Sequence, residues 1–171
     1  MKSLRIQRLC QAAVFAAIIY VFTAYLHVPS FNGYTHVGDG FIYLAASVLP
    51  TGYAAAAGAI GAGLADILSG YSIWAPATLI IKALTACFFT CSAPTFLCKR
   101  NYLALIPSAL LCIFGYYLYE SLITGNFIAP LAGVTGYITQ VVLSSALYLL
   151  LGKALDKAGM KHRLVSRVEI G

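Results

Sequence analysis

The chain has 171 residues, 61% of them hydrophobic and only 9% charged, with 11 Lys and Arg against 5 Asp and Glu. A soluble domain carries about 25% charged residues, so these charges cannot coat a globule in water, and mean hydropathy is +0.86. A soluble globular fold is excluded. Lipid-embedded backbone must satisfy its own hydrogen bonds as helices or a closed barrel, and the long apolar runs, without short alternating segments, decide for helices.

Lys2, Arg5 and Arg8 precede an apolar run over about 9–26, the first predicted helix. The run is too long for the apolar part of a secretion signal and has no clear small-residue cleavage site after it, so it reads as a retained span. A polar loop, 27–36, is rich in turn formers and aromatic residues. The second helix, about 39–49, is short for a full span and is expected to tilt into the bundle or borrow length from neighbours. The third covers about 52–68. Pro76 suits the first turn of a fourth, running to about Leu97. Lys99-Arg100-Asn101 makes a basic turn, a fifth helix takes about 102–123, the 125–130 loop follows, and a sixth takes about 131–151 before a basic tail.

The predicted fold is therefore all-α: a polytopic membrane protein, one compact bundle of six transmembrane helices spanning residues 1–171 as a single domain. With six spans, ten of the eleven basic residues fall on one side: Lys2, Arg5, Arg8, Lys99, Arg100, Lys153, Lys157, Lys161, Arg163 and Arg167. The three opposite loops carry none. That asymmetry places both termini in the cytoplasm. It also accounts for the net charge of +6 better than a nucleic-acid partner does. The five cysteines form no CxxC pair and lack a nearby His or further thiol for a metal site, so they read as packing residues.

Four charged residues lie inside the predicted bundle: Asp39, Asp66, Lys82 and Glu120. A charge at a helix centre costs about 2.5–3.5 kcal/mol on insertion scales, so such groups are paired, hydrated or functional. Together with Gln140 they sit in the outer half of five helices. A continuous ion path needs polar groups at both depths; a cup open to the outside does not. Tyr116, Tyr117 and Thr124 beside Glu120, Thr78 and Thr85 beside Lys82, and Gly136, Tyr137 and Ser144 beside Gln140 are placed as walls, with Asn32, Tyr34, His36, Tyr71, Trp74 and Asn126 from the outer loops. Aromatic faces with a few polar anchors fit a flat heterocyclic solute. Each residue also has a plainer reading: Asp39 as a helix cap, Asp66 with Lys82 as a structural ion pair, Glu120 as hydrated, Trp74 as an interfacial belt residue and His36 as a loop residue.

Ala54, Gly58, Ala62, Asp66 and Gly70 repeat every four residues on the third helix, a small-residue face for close packing. Ala12 with Ala16 and Ala13 with Ala17 do the same on the first. That face serves internal packing or docking of another membrane protein.

The series His36-Val-Gly-Asp-Gly-Phe-Ile-Tyr-Leu-Ala-Ala46, Gly58-Ala-Ile-Gly-Ala-Gly-Leu-Ala-Asp66, Gly70-Tyr71 and Trp74-Ala-Pro-Ala-Thr-Leu-Ile-Ile-Lys82 resembles the substrate-binding S components of energy-coupling factor transporters. The similar branch is the riboflavin type, with its pyridoxine, hydroxymethylpyrimidine and queuosine candidates. The resemblance implies capture of a vitamin-like or modified-nucleobase-like solute from outside, and inward delivery with a transmembrane T subunit and two ATPase subunits in the plasma membrane of a prokaryotic-type cell. It implies that Ala12/Ala16 or Ala13/Ala17 face the T subunit. It assigns ATP hydrolysis to the partners, consistent with the lack of a GxxxxGK[ST] loop, and leaves this chain with no cofactor, no metal and no catalytic residue. The expected solute contacts are Asn32, His36, Asp39, Asp66, Trp74, Lys82, Tyr116, Glu120, Asn126 and Gln140. On this reading Lys82→Ala weakens binding far more than Lys99→Ala, and Ala16→Trp blocks assembly while sparing the solute. The alternatives are an autonomous carrier or channel and an intramembrane enzyme; neither HExxH nor GxSxG occurs.

Overall fold

A computed structural model describes residues 2–30 and 33–169. It contains seven α-helices: α1 (Lys2–Ala24), α2 (Asp39–Ala46), α3 (Thr51–Leu68), α4 (Ala75–Phe88), α5 (Lys99–Thr124), α6 (Val134–Lys157) and α7 (Met160–Glu169). Between α1 and α2, strands β1 (His27–Ser30) and β2 (Gly33–His36) form an antiparallel hairpin with His27 opposite His36. The predicted polar loop is thus an ordered ribbon. Short 3₁₀ turns, Ser72–Trp74 and Ala129–Gly133, lead into α4 and α6.

Four helical stretches are long and apolar enough to cross a membrane: Leu4–Ala24, Thr51–Leu68, Lys99–Thr124 and Ala129–Lys157. The shorter α2 is the hub. It packs against α1, α3, α4 and α6, and seven of its eight residues are buried. Wrapped by other helices, it needs neither the length nor the lipid-facing stripe of a full span.

The long helices are polar inward and apolar outward. On α5, Asn101, Ala104, Ser108, Cys112, Tyr116 and Glu120 are buried, while Leu103, Ile106, Leu110, Phe114, Leu118 and Leu122 are exposed. That arrangement suits lipid as solvent, where apolar surface outside carries no penalty and buried polar groups must pair.

Small residues set the close helix approaches. A Cβ at Gly61 would stand 2.6 Å from the Ala16 carbonyl oxygen, so α1 and α3 meet at van der Waals contact of their backbones. Gly125, in the left-handed region at φ 64°, ends α5.

Helix α4 stops well short of the predicted Leu97. Its C-cap, Phe89, is extended at ψ 167°, and the chain runs without helix to Lys99. The side chain of Asn101 supplies what the helix would have: it accepts from the Thr90 N–H at 2.8 Å and donates to the Thr90 and Phe96 carbonyls at 3.1 and 2.9 Å. Asp156 accepts the Phe96 and Leu97 N–H groups at 2.7 and 3.0 Å, and Tyr148 donates to the Phe96 carbonyl at 2.8 Å. Pro94 within the segment also opposes helix continuation. The basic tail forms α7, which returns against α1 through Gln11 Nε2 and the Leu164 carbonyl at 3.4 Å.

Candidate functional site

The sequence pattern foresaw an Asp66–Lys82 ion pair as the structural alternative; the structure pairs Lys82 with Asp39 instead. Lys82 Nζ lies 2.8 Å from Asp39 Oδ1 and 2.9 Å from Oδ2, with the two side chains 1% and 2% exposed. Gln140 Nε2 donates to Asp39 Oδ2 at 2.9 Å, and the ammonium stands 5.0 Å from the centre of the Tyr116 ring. Asp39 opens α2 but makes no side-chain capping bond. Helices α2, α4 and α6 are thereby tied at one point. Asp66 is drawn away because the hairpin delivers the Tyr34 hydroxyl to its Oδ1.

Beside this tie lies a small cavity of about 30 Å³, lined by Gly33, Tyr34, His36, Asp66, Trp74, Thr78, Tyr116, Tyr137 and Gln140. Its walls are aromatic. Tyr116 stacks on Tyr137 with ring centres 5.5 Å apart and planes at 21°, and Trp74 meets Tyr116 edge-on at 6.1 Å. Most wall hydroxyls are committed: Thr78 to Tyr116 at 2.8 Å, and Tyr137 to Glu120 Oε2 at 2.9 Å. The hairpin forms one side and is held to α6 by Thr35 Oγ1 donating to the Gly136 carbonyl at 3.3 Å. A Cβ at Gly136 would overlap the Ser30 hydroxyl, so any larger residue there forces the Ser30 side chain to turn.

His36 is held in one tautomer. The Gly38 N–H donates to its Nδ1 at 3.2 Å, which leaves the ring proton on Nε2. Burial, with Lys82 and His27 adding to it and Asp39 opposing, pushes this histidine down to about 4 from an ordinary 6.5. The folded protein therefore resists a proton that the unfolded chain accepts below pH 6.5, so His36 lowers stability progressively as pH falls from 6.5 toward 4 and has no such effect above 6.5. The full loss is about 3 kcal/mol. Thermal melts of the wild type and His36→Gln between pH 4.5 and 7.5 should converge in acid, the variant lacking that part of the slope. Parallel curves would remove His36 as the titrating group.

Of the sequence-predicted contacts, His36, Asp66, Trp74, Tyr116 and Gln140 line the cavity. Asp39 and Lys82 lie behind its wall as the buried tie. Glu120, 1% exposed, stands behind Tyr137. Asn126 is exposed and its Oδ1 accepts from the N–H groups of Ile128 and Ala129 at 2.8 and 3.1 Å, shaping the loop before α6. Asn32 lies outside the described residues. Tyr34 and Tyr137, ranked only as wall residues by depth, make the hydrogen bonds that orient Asp66 on the lining and Glu120 behind it. The 137–140 spacing on α6 was the available signal for Tyr137; nothing in the loop composition pointed to the hairpin that carries Tyr34.

The model of the ECF-type riboflavin transporter S component family matches residues 3–157. The chain belongs to that family. It is the substrate-binding subunit of an energy-coupling factor importer, a membrane protein that works with a T subunit and ATPase subunits on a vitamin-type solute, and the family is one of transporters, not enzymes. No curated protein matches the chain. For an S component the cavity has a suitable composition: aromatic faces for a ring, and few polar groups to orient it.

Proposed function

We propose that this S component captures a flat heterocyclic, vitamin-type solute in the cavity between the hairpin, α3, α4, α5 and α6. The observation that carries the reading is the convergence there of two carboxylates' tyrosine partners, a tautomer-locked histidine and four aromatic rings. The chain works as a single unit of six spans in the plasma membrane, α2 and α4 being the short ones, with both termini cytoplasmic and the hairpin outside. It holds no cofactor; ATP is hydrolysed by the partner subunits. Proteoliposomes containing this chain, the T subunit and the ATPases should accumulate the copurifying solute only with ATP. Uptake by this chain alone would point to an autonomous carrier, and conversion of the solute to a product to an enzyme.

The T subunit is proposed to dock on the apolar groove between α1 and α3, about 480 Å³ in volume and lined by Ala12, Ala13, Ala16, Ala17, Ala57 and Gly61 among others. Because the Ala16 carbonyl already touches α3 at Gly61, Ala16→Trp also disturbs packing inside the subunit. Ala17 is exposed and gives the cleaner test. Ala17→Trp should abolish copurification with the T subunit while leaving solute binding within twofold, about 0.4 kcal/mol. Normal copurification would move the docking face elsewhere.

A further inference from the structure

Among the described residues, the cavity lining holds one carboxyl group, that of Asp66. Asp66 is 4% exposed; its Oδ1 takes the Tyr34 hydroxyl, and its buried Oδ2 has no hydrogen-bond partner. Thr78, the neighbouring lining hydroxyl, pairs with Tyr116 at 2.8 Å and also lies within reach of the Asp66 carboxyl. The closest cation, Lys82, is committed to Asp39 at 2.8 Å. A buried carboxylate oxygen left without a donor is costly, and here it borders an open space. That space is walled by Tyr34, Trp74, Tyr116 and Tyr137, whose ring faces attract positive charge. His36, neutral at pH 7 and protonated on Nε2, adds a donor to the same lining.

Resting on the reading of this cavity as the solute site, we infer that the solute is a nitrogen heterocycle that presents an amino or ring N–H group to Asp66 Oδ2 and a ring acceptor to His36 Nε2, is neutral or cationic, and bears no carboxylate or phosphate. An acidic group on the solute would meet the Asp66 carboxylate in a site whose lining, among the described residues, holds no free cation, at a distance where repulsion is little screened. A donor group replaces the missing hydrogen bond with a charge-assisted one.

The chain contains a single tryptophan, Trp74, and it lines the cavity, so intrinsic fluorescence reports the site alone. The full detergent-solubilised chain is titrated at pH 7.5 with three single-ring probes of similar size: 4-aminopyridine, a cation; nicotinamide, neutral with an N–H donor; and nicotinate, an anion. The first two should shift Trp74 emission saturably, and nicotinate should bind about tenfold more weakly or less. Asp66→Asn should weaken 4-aminopyridine by about tenfold and close most of the gap to nicotinate. Nicotinate binding as tightly as 4-aminopyridine on the native protein would overturn the inference while keeping the site. The copurifying solute, identified by mass spectrometry, gives a second measurement independent of any variant: a base with N–H groups and no acidic group supports the assignment, and a phosphate ester or carboxylic acid overturns it. If neither the probes nor the copurifying solute perturbs Trp74, the cavity is not the solute site, and both readings fall.

Discussion

Lys82→Ala should lower the stability of the solubilised protein by about 3–5 kcal/mol, the largest effect of any single substitution considered. The substitution strands the Asp39 carboxylate, 2% exposed, with only Gln140 as a donor. It also removes the tie between α4 and the central helix α2. Lys99→Ala, at an exposed position, should change stability by no more than about 0.5 kcal/mol. Solute binding falls with Lys82→Ala as the sequence pattern predicts, but through the site's support, since Lys82 is not on the cavity lining. The double variant Lys82→Met with Asp39→Asn separates the two causes. It removes both charges at similar volume, so it should regain most of the lost stability and much of the binding. Recovered folding without recovered binding would show that Lys82 reaches the solute directly.

Asn101→Leu should cost about 3 kcal/mol and release residues 89–98 without harming the solute site. The Asn101 side chain is fully buried and makes hydrogen bonds to the Thr90 N–H, the Thr90 and Phe96 carbonyls and, at 3.1 Å, the Ser47 hydroxyl. Each net bond contributes about 1 kcal/mol, and the orphaned backbone groups add their own desolvation penalty. Limited proteolysis should cut the variant within 89–98 faster than the wild type, while Trp74-detected binding stays within threefold. A loss of binding equal to that of Lys82→Ala would mean that the two ends of the bundle are coupled. Unchanged proteolysis would mean that Asp156 and Tyr148 suffice to hold the segment.

These two polar clusters differ in how visible they were along the chain. Asp39, Asp66, Lys82 and Glu120 stood out because charges are expensive in lipid, and their shared depth announced a site. The second cluster went unseen because Ser47, Asn101 and Tyr148 are uncharged, and Asn101 follows Lys99-Arg100 in a basic stretch that looks like ordinary solvent-facing surface. The helix α4 boundary failed for the same reason: residues 89–97 are apolar enough to continue a span, and the open backbone is satisfied by the side chains of Asn101, Tyr148 and Asp156. The partner of Lys82 was also hidden. Depth favoured Asp66 over Asp39, whereas in the structure Lys82 pairs with Asp39 and Asp66 takes Tyr34, from a hairpin that polar loop composition did not announce.

Composition determined the solvent, and the length of the apolar runs the helical class, because a chain with so few charges has one medium in which its backbone and surface are both satisfied. The motif series carried the family. Tertiary structure decided the pairing: which carboxylate neutralises the buried lysine, which one keeps an oxygen free beside the cavity, and which histidine nitrogen bears the proton. Such choices depend on hydrogen-bond geometry between segments far apart in the chain, where a displacement of an ångström exchanges one partner for another, and a linear pattern holds no record of that distance.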